Sequence, residues 1–183
     1  MRIIFVILQL LLVHLAAYSQ KVELIKDSNT EGYIYSEGGS VKHIRGKKFE
    51  GYIFSKECSN GGLPPNIEYR YTPSTANIVD AEKILLANAD TITNLSIRLF
   101  SKKEAIEKRK LKKYKRQYWG TLSAKGDSII CIQFSEELIE GMIEAIKEGV
   151  ISYVVYDGGT SCFFVAIDLK NKKIIEIQIN GVA

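Results

Sequence analysis

The sequence predicts an α+β fold: an antiparallel sheet covered by helices, with a small β-rich region at its N-terminal end. Three observations carry this reading. The C-terminal half alternates apolar and polar residues over 117–123, 128–134, 161–169 and 174–180, the period of half-buried strands. Two stretches, 73–88 and 135–149, instead repeat their apolar residues every three or four positions, as amphipathic helices do. The links between the strands are short, which favours antiparallel neighbours over crossover connections. Ten Tyr, seven Phe and one Trp supply aromatic bulk for a core around such a sheet.

Taken in order, Met1 and Arg2 precede an apolar run from Ile3 to Leu15, and Ala17-Tyr18-Ser19 offers small residues at both positions a signal peptidase reads. Residues 1–19 therefore read as an export signal, with the working chain starting near Gln20. The run is shorter than the ~20 residues a membrane-crossing helix needs, and Gln20 stands where a lipid anchor would require cysteine. Residues 20–62 form the small β-rich region. Val22 to Ile25 suits an edge strand, and Gly32-Tyr33-Ile34-Tyr35-Ser36 is nearly repeated as Gly51-Tyr52-Ile53-Phe54-Ser55. Adjacent glycines and prolines at 59–66 break regular structure, so 63–70 reads as a linker or turn and 71–183 as the principal domain.

Thr72-Pro73 is a helix-start signal, since the hydroxyl can accept an orphan amide and proline has none to waste. Ile78, Ala81, Ile84 and Leu85 make the apolar stripe, ending around Asn88. Residues 91–100 fit a continued helix, a strand or a loop equally well. Ser101 and Glu104 have capping-box spacing ahead of a run to Arg116 that holds nine basic residues against Glu104 and Glu107. A hairpin follows around the turn Ala124-Lys125-Gly126-Asp127, its second arm showing Ile130, Ile132 and Phe134 on one face and Cys131 and Gln133 on the other. Ser135 is placed to cap the next helix, whose stripe is Leu138, Ile139, Met142, Ile143 and Ile146 and whose stop is Gly149. Strands are then expected at 150–156, 161–169 and 174–180, the last with Ile175, Ile177 and Ile179 on its packed face.

The composition excludes several chemistries. A net charge of +4 is too mild to imply nucleic acid, although Tyr114, Tyr118 and Trp119 beside the basic run supply the stacking surfaces such binding would use. His43 is the sole histidine after residue 19, and no His-Glu-x-x-His motif, Gly-x-Ser-x-Gly elbow or phosphate loop appears. No metal and no cofactor are expected. Cys131 and Cys162 are a candidate disulfide if their strands are neighbours, subject to a Cα separation of about 4.4–6.8 Å. Asp157-Gly158-Gly159 reads as a tight turn, because one carboxylate and two glycines fall short of a calcium loop.

Tyr71-Thr72-Pro73 opening a helix with Ala81-Glu82, then Lys113-Tyr114-Lys115-Arg116-Gln117-Tyr118, Tyr156-Asp157-Gly158-Gly159 and the ending Ile179-Asn180-Gly181-Val182-Ala183 form a distinctive combination. Over residues 68–183 it resembles a group of uncharacterised small secreted proteins of Bacteroidetes-type bacteria. The resemblance implies a bacterial periplasmic or secreted setting and brings no catalytic residue or substrate. The order of elements is also similar to cystatin-like folds, an analogy of scaffold alone.

The function expected from these observations is a non-enzymatic interaction domain that offers Lys108, Arg109, Lys112, Lys113, Lys115 and Arg116 to a protein or an acidic envelope component, with no stable membrane insertion. Two competing expectations are a cell-envelope hydrolase whose carboxylates meet only in three dimensions, and an inhibitory or structural module. A deep pocket with two facing carboxylates would favour the hydrolase.

Overall fold

The computed structural model describes residues 23–24, 33–36, 39–60, 69–151 and 159–179. The export segment, Asp157 and Gly158, most of the 63–70 linker and the last four residues lie outside these. Strands β1 (Glu23–Leu24), β2 (Tyr33–Ser36), β3 (Gly39–Arg45), β4 (Glu50–Phe54), β5 (Ser59–Asn60) and β6 (Arg70–Tyr71) lead into helices α1 (Thr75–Ala87) and α2 (Ala89–Leu99). Then follow β7 (Lys115–Leu122), β8 (Ser128–Ser135), α3 (Glu140–Lys147), β9 (Val150–Ile151), β10 (Cys162–Asp168) and β11 (Lys173–Ile179).

The predicted hairpin is the centre of the main sheet. β7 and β8 pair antiparallel from Lys115 opposite Ser135 to Leu122 opposite Ser128, and Gly126 takes the φ of 77° that closes the turn. The sheet continues in the order β1-β3-β4-β7-β8-β10-β11, with β2 also paired to β3 and β6 to β7. The fold is therefore α+β, around a sheet that is mixed rather than purely antiparallel: β4 and β7 run parallel, Glu50 opposite Lys115 and Ile53 opposite Tyr118. Local turn signals cannot reveal that pair, because β5, β6, α1 and α2 intervene between its strands. Through it, β3 and β4 of the N-terminal region are continuous with the sheet of the principal domain. β5 and β9 form a separate parallel pair.

Helices cover both faces. On one, Ile78, Ala81, Leu85 and Ile92 of α1 and α2 pack with Ile44, Ile53, Tyr118, Ile130, Ile132, Phe134, Phe163, Val165 and Ile167. On the other, Ile146 of α3 packs with Val41, Phe54, Trp119, Cys131 and Ala166. Both faces of β8 are thus buried, not only the isoleucine face, because α3, the next element after β8 in the chain, places Ile146 in the cluster that holds Cys131.

Several element boundaries depart from expectation for identifiable reasons. The cap of α1 is Ser74, not Thr72: Asn77 N donates to Ser74 Oγ at 3.2 Å and Ser74 N donates back to Asn77 Oδ1 at 2.9 Å. Thr72 Oγ1 instead accepts from Lys56 N at 3.0 Å. The unassigned stretch after Asn88 is α2. The Ser101–Glu104 hydrogen bonds form, yet only turns and one 3-10 turn at Leu111–Lys113 follow, so the basic run is not a helix. Closely spaced like charges disfavour helix there, and the competing anchor is tertiary: Ile106 N donates to Ser96 Oγ at 2.9 Å while Ile106 O accepts from Thr93 Oγ1 at 2.7 Å. Ser135 ends β8 instead of capping a helix, and α3 starts after Ile139. Gly149, at φ 70°, does supply the stop. Opposite Ala166 and Ile167 of β10 the register of β11 shifts by one residue; the skipped Ile175 is 45% exposed, and Ile174 joins Ile177 and Ile179 against the core.

Candidate anion-binding cleft

Two walls make the site. One is α1, whose Leu86 follows Glu82 by one helical turn and faces the same side. The other is the irregular segment 105–114, held by the buried Ala105, Ile106 and Leu111. Between them lies a cleft of about 420 Å³ lined by Leu86, Lys108, Arg109 and Lys112, with Lys48 reaching in from the turn between β3 and β4. The lining side chains carry no carboxylate.

A buried ion pair ties the walls together. Arg116 on β7 is 1% exposed and Glu82 on α1 is 1% exposed, their Nε and Oε1 2.8 Å apart. The Tyr118 hydroxyl donates to the same Oε1 at 2.8 Å. Arg116 Nη1 donates to Tyr114 O at 2.7 Å and Nη2 to Leu111 O at 3.0 Å, which fixes the end of the basic segment beside Lys112. Its guanidinium also lies over the Phe134 ring, 5.1 Å from the centroid. Burial pushes the Glu82 carboxyl up, opposed by the Arg116 charge and the Tyr118 hydroxyl, and burial holds Tyr118 well above the ordinary tyrosine value as a hydroxyl donor. Glu82 Oε2 has no hydrogen-bond partner among the described residues.

The cations around the cleft differ in commitment. Arg109 has its fork occupied by Glu107, with Nε donating at 2.6 Å and Nη2 at 3.3 Å, and Lys110 also pairs with Glu107, at 3.4 Å. Lys48, Lys108 and Lys112 have no ion-pair partner among the described residues. The six-residue basic patch read from sequence is therefore split. Lys108, Arg109 and Lys112 line the cleft, and Lys113 is exposed outside its lining. Lys115 is bound to Glu50 at 2.7 Å, and Arg116 is interior.

The expected binding-face aromatics are likewise core residues. Tyr114 packs edge-on against Phe163 and donates its hydroxyl to Thr160 O at 2.8 Å. Tyr118 is fully buried, and Trp119 stacks on Phe164 at 5.7 Å. Alternation along β7 sends Tyr118 and Trp119 to opposite sheet faces, and each face meets a covering layer.

The candidate disulfide is absent. Cys131 lies opposite Ala166 and Cys162 opposite Ser135 on the same strand pair, four positions apart and thus about 13 Å along the strand, far outside disulfide reach. Cys162 Sγ instead accepts from Gln133 Nε2 at 3.1 Å, and burial pushes the Cys131 thiol up to about 11. Of the expected turn Asp157-Gly158-Gly159 only Gly159 is among the described residues; at φ 52° it opens a 3-10 turn to Ser161. Among the described residues no group of three His, Cys, Asp or Glu side chains is placed to hold a metal ion, and no helix is long and apolar enough to cross a membrane.

A second charged cluster sits on β3, β4 and β7. Glu50 accepts from Lys115 at 2.7 Å and Arg45 at 2.9 Å, and lies 3.1 Å from His43 Nε2, whose ring stacks on Tyr52. Burial alone would raise the Glu50 carboxyl, but hydrogen bonds and charge from Lys115 and Arg45 overcome it and bring it down to about 2 from an ordinary 4.5. A carboxyl lowered on folding stabilises above its unfolded value and loses that contribution as pH falls through the folded one. The thermal-stability advantage of the wild type over Glu50→Gln is therefore expected to be full above about pH 5 and to shrink toward pH 2. Parallel melting curves across that window would count against the cluster's role.

Sequence reasoning missed Lys48, Leu86 and Glu82. Lys48 was visible as part of the Arg45-Gly46-Lys47-Lys48 turn, but nothing in the sequence marks its approach to residues 108–112 across the fold. The fold and site together define an α+β domain with a basic cleft between a helix and an irregular cationic segment. Comparison with family models, curated proteins and solved structures finds no match for this chain.

Proposed function

We propose that this protein is a non-enzymatic interaction domain that captures an anionic group in the cleft between α1 and residues 105–114. At the cell envelope, the address suggested by the apolar run at 3–15, that group belongs to a partner bearing phosphate or other acidic chemistry. The observation that carries the reading is that Lys48, Lys108 and Lys112, from two separate segments, line one concavity with no counter-ion among the described residues. Cations exposed on a convex surface are fully met by water, whereas cations lining a cleft focus their field on an anion within it. Lysine stems and Leu86 add an apolar floor.

The test is salt-gradient elution of the purified chain from a phosphate-bearing matrix. Lys48→Gln/Lys108→Gln/Lys112→Gln is expected to elute at clearly lower salt with an unchanged Tm, because each removed contact lowers the steepness of the salt dependence. Co-elution with the wild type would sink the assignment.

A further inference from the structure

We infer that the cleft takes a compact ligand with two or more closely spaced phosphate-type charges, a diphosphate group being the simplest, and not a long polyanion laid across the surface. This rests on the reading of the cleft as an anion site and narrows its ligand.

Size is the first argument. A cleft of about 420 Å³ falls within the roughly 300–1,000 Å³ range of small-molecule sites. A polyanion tracking the surface would instead engage the cations outside the lining, and Lys102, Lys103 and Lys113 are exposed there.

Charge is the second. Three lining lysines without acidic partners among the described residues carry +3 between them, while Glu107 offsets Arg109. A lone carboxylate would leave most of that charge unmatched. A diphosphate brings about three negative charges near neutral pH, given phosphate second ionisations near 6.

Donor geometry is the third. A guanidinium fork is the group best matched to a planar carboxylate, and the cleft's one fork is already taken by Glu107 through Nε and Nη2. What remains are ammonium groups, each a point charge with three rotatable donors, which suit the tetrahedral spread of phosphate oxygens. Leu86 leaves an apolar contact for whatever carries the phosphates.

The experiment is calorimetric titration of the full chain with inorganic diphosphate, inorganic phosphate, acetate and long-chain polyphosphate at one ionic strength. It is repeated on Lys48→Gln/Lys108→Gln/Lys112→Gln and, as a control of equal charge change, on Lys102→Gln/Lys103→Gln/Lys113→Gln. Diphosphate is expected to bind at least about tenfold tighter than phosphate, with the cleft triple losing about tenfold or more and the outer triple staying within about twofold. No preference for diphosphate over phosphate, or equal losses in both triples, overturns the inference. If polyphosphate then still binds and the cleft triple weakens it, the anion-binding reading stands without the compact ligand. Failure of every anion to bind removes both.

Discussion

Arg116→Met is expected to cost about 3–5 kcal/mol of unfolding free energy, the range for breaking a buried ion pair from one side. The loss arises less from the pair's attraction than from what is left behind. Glu82, 1% exposed, would keep a carboxylate with only the Tyr118 hydroxyl on Oε1 and nothing on Oε2 among the described residues. The carbonyls of Leu111 and Tyr114 would lose the guanidinium as a donor in the same step, Leu111 O keeping the Tyr114 N–H at 3.3 Å. Urea denaturation reads the effect directly, and a loss below about 1 kcal/mol would refute it.

Removing both charges separates two roles. Glu82→Leu/Arg116→Met is expected to recover most of the stability, since apolar replacement of a buried pair is often neutral or favourable by about 1–4 kcal/mol. It should not recover cleft binding, because the guanidinium bonds that tie the Leu111 and Tyr114 carbonyls, next to Lys112, to β7 stay lost. Full recovery of elution from the phosphate matrix would show that the pair serves stability alone.

Gly51→Ala is the second large effect. Gly51 stands opposite Arg116 in the parallel β4–β7 pair, and a Cβ there would overlap the Arg116 carbonyl oxygen and sit 2.8 Å from its carbonyl carbon. Those atoms are backbone, so no side-chain rotation relieves the clash. The strands must separate, at a cost of at least about 2 kcal/mol. Amide exchange should quicken specifically along β4 and β7. Gly126→Ala is the useful contrast, since open space surrounds that position and only its φ of 77° resists a side chain, worth about 1–2 kcal/mol. A Gly51→Ala chain as stable as the wild type would disprove the close strand approach.

Both predictions turn on residues whose sequence neighbourhoods mislead. Arg116 ends a run of nine basic residues and looks like part of an exposed patch. It is buried because β7 begins at Lys115, and alternation sends residue 116 inward, to Glu82, and Lys115 the other way, to Glu50. Glu82 was one of many carboxylates, and only the α1 stripe places it on the sheet-facing side with Ile78 and Leu85. Gly51 was legible as a strand residue; its need for hydrogen in place of Cβ comes from a partner 65 positions away.

Legible along the chain were the α+β class, the β7–β8 hairpin and its turn, the length of α1 and the alternation of β10. These depend on period, turn chemistry and neighbours within a few residues, all of which are written along the chain. Invisible until the chain is folded were the parallel β4–β7 pair, the second covered face of the sheet, the burial of Arg116, Tyr114, Tyr118 and Trp119, the distance between Cys131 and Cys162, and the meeting of Lys48 with Lys108 and Lys112. Each of those depends on strand order and register, which are set by the simultaneous burial of distant segments. Local composition cannot show which of its charges that burial will enclose and which it will leave around a cleft.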